Sequence, residues 1–123
     1  MILGLGLDIV QIPRIERLYK DFGLKFVRRI LSEDEIARMP NKEIPYYLAK
    51  RFAAKEAFSK AMGFGIGSRV TFKTIEICKD SSGKPYFSDA TLALLGEKKI
   101  IAHLSIADDY PTAIAQVILS RAE

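Results

Sequence analysis

The chain has 123 residues, 49% of them apolar and 28% charged, with a formal net charge of +4. That length and mix fit one globular domain over residues 1–123, and no apolar run reaches the roughly 20 residues a membrane-spanning helix needs. The single cysteine, Cys78, excludes an internal disulfide, argues against a thiolate metal site within one chain and suits a reducing cytoplasm.

The first ten residues, MILGLGLDIV, lack a basic leader and meet Asp8 early, so they read as a buried strand and not a signal peptide. Alternation along residues 2–10 puts Ile2, Gly4, Gly6 and Asp8 on one face and Leu3, Leu5, Leu7 and Ile9 on the other. The leucine face is the expected core face. The glycine face leaves the backbone open to close approach and ends in Asp8, which either caps a turn or serves as a site carboxylate.

Pro13 and Gly23 suit the start and end of a first helix, with Ile12, Ile15, Leu18, Tyr19 and Phe22 as its apolar stripe. A second short helix covers Leu24 to Leu31, with Phe26, Val27 and Ile30 inward. Residues 11–31 hold six basic groups, Arg14 and Arg29 among them, and two acidic ones, while the rest of the chain holds 13 of each. Such a local basic face is either plain solvated surface or a docking face for nucleic acid, membrane or an acidic protein. Ser32-Glu33-Asp34-Glu35 is a capping box that starts a third helix reaching Met39, and Pro40 to Pro45 is a break.

The central helix, about Tyr46 to Met62, is apolar nearly all the way round and is expected to be buried. It nevertheless carries Arg51, Lys55, Glu56 and Lys60. Glu56 and Lys60 lie one turn apart on one side, and Arg51 and Lys55 form a second pair roughly opposite Lys60. Charges on such a helix are costly unless paired or bound to something. Gly63, Gly65 and Gly67 then end the helix and permit close approach of a ligand.

Beyond Gly67 the pattern turns strand-like. Strands are predicted at Val70 to Ile77, Pro85 to Phe87, Ile100 to Ala107 and Thr112 to Ser120, with a short helix at Thr91 to Lys99. Strand, helices, then mainly strands argues an α+β fold with an antiparallel sheet. There is no P-loop, the glycine run stands in the wrong order for a dinucleotide fold, and the one histidine, His103, gives no nucleophile triad. Asp8 and Glu56 are two carboxylates in apolar settings with bases nearby, which suits Mg²⁺ and phosphoryl chemistry.

The segments GLGLDIVQIPRI, FVRRILSEDE, LAKRFAAKEAFSKAMGFGIG, DSSGKPYF and HLSIADDYPTAIAQVIL occur in this order. Together they resemble the bacterial holo-[acyl-carrier-protein] synthases, the small class of 4′-phosphopantetheinyl transferases, from the first residues to about Leu119. The resemblance implies a 4′-phosphopantetheinyl transferase-like fold and transfer of the phosphopantetheine arm of coenzyme A to a serine of apo-acyl carrier protein, for fatty acid biosynthesis. Adenosine 3′,5′-bisphosphate is the other product. It further implies that Asp8 and Glu56 bind Mg²⁺, that Lys60 lies at the reacting phosphate, and that Arg14 and Arg29 dock the acidic carrier protein. Family members are typically homotrimers with active sites between subunits.

Within that frame Arg51 and Lys55 are candidates for coenzyme A phosphates, the three glycines for backbone approach, and His103 for lining the ligand site. The proton acceptor is Glu56 or a metal-bound water. Where many members read SxSH, this chain has Ser105-Ile106-Ala107-Asp108. The competing reading is a basic binding module without chemistry. It leaves the charges of the central helix unexplained, and Phe22 and Phe26 fall at core-like positions instead of among exposed bases. Nucleic acid and membrane are therefore not expected as partners.

Overall fold

The computed structural model describes residues 1–63, 65–67, 70–97 and 99–122. Its elements are β1 (Ile2–Gln11), α1 (Ile12–Phe22), α2 (Leu24–Ile30), α3 (Glu33–Ala37), α4 (Ile44–Ala61), a 3-10 turn (Phe72–Thr74), β2 (Ile77–Lys79), β3 (Pro85–Phe87), α5 (Asp89–Ala93), β4 (Ile100–Asp109) and β5 (Thr112–Arg121). The three long strands form an antiparallel sheet in the order β1-β5-β4, and β2 and β3 form a separate antiparallel ribbon. The architecture is α+β, with α4 packed across one face of the long sheet.

Helix α4 is rich in strong helix formers and carries Pro45 in its first turn, where a missing N–H costs nothing. It therefore begins at Ile44, two residues before the expected Tyr46. Gly63 ends it in the left-handed region at φ 95°. Leu48, Ala49, Ala53, Ala54, Ala57 and Phe58 have no exposed surface, as expected of a helix apolar all round.

The expected core face of β1 is the outer one. Leu5 is 60% and Ile9 61% exposed, and Leu3 and Leu7 share that face. The glycine face packs on α4 instead. A Cβ on Gly6 would lie 1.8 Å from the Ala57 carbonyl oxygen, and one on Gly4 would lie 2.1 Å from that of Ala61. Strand and helix meet backbone to backbone, and only glycine leaves room for that. Small residues continue the surface on β5, where buried Ala113 and Ala115 stand beside Val10 and Asp8 of β1.

The capping box at Ser32 forms. The Ser32 hydroxyl accepts from the Glu35 amide at 3.2 Å, and the Ser32 amide donates to Glu35 Oε1 at 2.9 Å. Phe26, Val27 and Ile30 are buried as expected, whereas Phe22 is 55% exposed. The β-branched run Val70 to Ile77 does not form a strand, because its centre winds into the 3-10 turn and pairing begins only at Ile77. The helix expected at Thr91 to Lys99 is the shorter α5, capped by Ser88. Among the described residues no helix is long and apolar enough to cross a membrane.

Candidate active site

The approach of β1 to α4 brings Asp8, Glu56 and Lys60 together. Asp8 lies on the inward face of β1, two residues beyond Gly6, with its side chain 14% exposed. Lys60 Nζ donates to Asp8 Oδ1 at 3.0 Å and to the Leu7 carbonyl at 3.1 Å. Glu56 lies one turn earlier on α4. Burial is the main cause pushing its carboxyl above the usual range, the Asp8 charge adds to it, and Lys60 and Arg14 pull the other way. Arg14 of α1 thus shares the field of the two carboxylates. Lys60, one turn from Glu56 on the same helix, makes its ion pair with Asp8 across the strand–helix contact.

A cavity of about 560 Å³ opens between α1, α2, α4 and the 3-10 turn and is linked to this cluster through Arg14. Arg14, Lys25 and Arg29 line it, over a floor that includes Phe26, Phe52 and Phe72. Three of the six basic residues of the first two helices therefore border an apolar groove. Exposed Phe22 belongs to the same lining. The stacking of Phe52 on Phe72, with centroids 5.0 Å apart, joins α4 to the turn.

Two expected phosphate ligands stand apart from this cluster within the single chain. Lys55 is fully buried, and its ammonium donates to Glu35 Oε1 at 2.6 Å, the Ile30 carbonyl at 2.7 Å and the Phe72 carbonyl at 2.8 Å. All three N–H bonds are used, so it has none for coenzyme A. Burial lowers its pKa to about 8, with Glu35 opposing the fall. Arg51 is 4% exposed, with its guanidinium carbon 4.6 Å over the Tyr47 ring. It stands on the helix side opposite Lys60, and its Nε is buried without a hydrogen-bond partner among the described residues. Neither side chain joins the Asp8 cluster, because helical periodicity turns both toward the opposite side of α4.

His103 lies on the outward face of β4, its Nε2 3.0 Å from Ser120 Oγ. Strand alternation places it on the opposite side of the sheet from Asp8. A Cβ at Gly63, Gly65 or Gly67 would meet nothing within 4 Å. Of the three, only Gly63 is required by its own backbone, and packing demands none of them. Phe64, Ser68 and Arg69 lie outside the described residues.

Sequence reasoning missed Glu35 and the packing role of Gly4 and Gly6. The one available signal for the glycines was their alternation with leucine in β1. Glu35 carried only the signature of a surface cap. Among the described residues no group of three or more His, Cys, Asp or Glu side chains could hold a metal ion by itself. The two carboxylates Asp8 and Glu56 beside the Lys60 ammonium do fit Mg²⁺, which takes one or two carboxylates and fills its octahedron with water and substrate phosphates.

Residues 4–115 match the family model of the 4′-phosphopantetheinyl transferase superfamily. A holo-[acyl-carrier-protein] synthase of Vesicomyosocius okutanii is 48% identical over 123 residues, covering 97% of each chain. The crystal structure of the synthase from Neisseria meningitidis superposes with a TM-score of 0.88 at 45% identity, over 98% of this chain and 100% of that one. The Bacillus anthracis synthase, solved in complex with coenzyme A (3′,5′-ADP), gives 0.84 at 39% identity over 99% of both.

Proposed function

The chain belongs to the 4′-phosphopantetheinyl transferase superfamily, among the holo-[acyl-carrier-protein] synthases, and from that premise we infer that it moves the 4′-phosphopantetheine arm of coenzyme A onto a serine of apo-acyl carrier protein. The observation that supports this most directly is the convergence of Asp8, Glu56 and Lys60 where β1 crosses α4. Relatives aligned end to end, including one solved with the nucleotide part of coenzyme A, point to the same substrates.

In this reading the serine oxygen attacks the β-phosphorus of coenzyme A. The bond from that phosphorus to the bridging oxygen breaks, and adenosine 3′,5′-bisphosphate leaves. The hydroxyl proton passes to Glu56 or to a water that the carboxylates orient. Lys60, half exposed and held by Asp8 and the Leu7 carbonyl, is poised to offset charge on the phosphoryl oxygens. Positioning and charge neutralisation supply most of the catalysis in such transfers. Asp8 and Glu56 are the side chains that would hold Mg²⁺, which when bound supplies further neutralisation of the pyrophosphate. The glycines at 63, 65 and 67 offer open backbone for the nucleotide.

The carrier protein, an acidic partner, docks on the groove bordered by Arg14 and Arg29. The outward sheet face, with Leu5, Leu7, Ile9 and Ile101 each about half exposed or more, is the surface on which further copies of the chain assemble. The family resemblance sets their number at three. That assembly would bring His103 into the ligand site of a neighbouring copy. We place the enzyme in the cytoplasm, where its substrates are used.

Asp8→Ala and Glu56→Ala should each abolish transfer while the melting transition and circular dichroism persist. Normal turnover in either variant would remove the metal and catalytic assignments.

A further inference from the structure

We propose that Lys55 is a positioning residue for carrier-protein docking, holding both walls of the basic groove to α4 one residue before Glu56. This rests on the reading of the groove as the docking surface. One wall ends at Ile30, the last residue of α2, and the other begins at Phe72, the first residue of the 3-10 turn. Both residues line the cavity. The same buried ammonium takes the main-chain carbonyl of each, at 2.7 and 2.8 Å. Its third hydrogen bond goes to Glu35, whose Oε1 also accepts from Ser32 N at 2.9 Å and whose Oε2 accepts from Ile77 N at 3.1 Å. The two walls, the start of α3 and β2 therefore meet at one ion pair.

A hydrophobic side chain could fill this volume, but it could not hold two carbonyls that approach from different segments. Among the described residues no other hydrogen bond ties the turn around Phe72 to α4. Without Lys55 the turn keeps its apolar contact through Phe52 and loses its polar anchor. The width of the groove is then no longer set relative to Glu56. Lys55 touches neither substrate; it acts through Ile30 and Phe72.

The test is steady-state kinetics together with direct binding of labelled apo-acyl carrier protein, on Lys55→Met, Glu35→Gln and Arg29→Glu, at a temperature where each is folded by circular dichroism. Methionine keeps the length and flexibility of the lysine stem. Lys55→Met is expected to raise both KM and Kd for the carrier on the order of tenfold, with KM for coenzyme A changing less than about twofold. Glu35→Gln should move the carrier KM the same way by a smaller factor, and it decides the matter alone if Lys55→Met does not fold. A rate that falls only with the folded fraction, at unchanged carrier KM, would show a purely structural lysine and overturn the proposal. So would equal rises in KM for both substrates. Arg29→Glu separates the two levels. If it weakens carrier binding and Lys55→Met does not, the positioning role fails and the groove stands; if Arg29→Glu has no effect, the groove reading falls and the proposal with it.

Discussion

Gly6→Ala puts the contact between β1 and α4 to a sharp test. The added Cβ would sit 1.8 Å from the Ala57 carbonyl oxygen and 2.8 Å from both Ala57 C and Ala61 N. Separations under 3.0 Å do not occur for real Cβ atoms, so strand and helix must part by about 1.2 Å at this point. Every atom met is main chain, so no rotamer change and no smaller residue at Ala57 relieves the clash. Overpacking of this kind costs about 1–3 kcal/mol, a melting-temperature loss of very roughly 4–12 °C for a domain of this size. Asp8 lies two residues beyond Gly6, and Glu56 precedes Ala57. The shift therefore acts directly on the Asp8–Glu56–Lys60 cluster, and a displacement near 1 Å is worth up to ~100-fold in rate. Gly4→Ala needs a smaller opening, from 2.1 Å, and lies a turn of helix further from the carboxylates. Both variants should melt earlier, and Gly6→Ala should lose more kcat per degree of melting temperature lost. Calorimetry and initial rates on the two proteins decide it. Wild-type stability and rate in Gly6→Ala would refute the close approach as the basis of the site.

Glu56→Gln should stabilise the metal-free protein at neutral pH. The folded carboxyl is held above its ordinary value, so its contribution to stability is full below the unfolded value of about 4.3 and is lost as pH rises through the folded one. Calorimetry in chelator should show the variant melting higher at pH 7 and the gain vanishing toward pH 4; a lower melting temperature at pH 7 would contradict the burial and Asp8 repulsion at Glu56. Leu5, itself 60% exposed, lies on the face proposed for assembly, so in sedimentation velocity Leu5→Asp should run as a monomer and the unsubstituted protein as the proposed trimer. An unchanged mass would place the subunit interface elsewhere.

Much of this architecture was legible in the chain. The central helix announced its burial by being apolar on every side, and Ser32 with Glu35 announced a helix start. Asp8 and Glu56 could be paired only through the family resemblance, since no local period links β1 to α4. The orientation of β1 misled because leucines ordinarily mark the core side. Here α4 needs the main chain of β1, so the glycines turn inward and the leucines turn outward. Lys55 was read as a phosphate ligand for a similar reason. Its partner Glu35 is 20 residues away and masquerades as a surface cap, yet it is wholly buried. The Val70 to Ile77 run shows β-propensity yielding to context, with Thr71 and Thr74 closing a 3-10 turn through their own side chains.

The most direct measurement is mass spectrometry of apo-acyl carrier protein incubated with this protein, coenzyme A and Mg²⁺, with a chelator control. The expected result is a mass increase equal to one phosphopantetheine, lost on chelation. No increase, from a folded protein that still binds the carrier, would contradict the transferase reading and leave a basic docking module in its place.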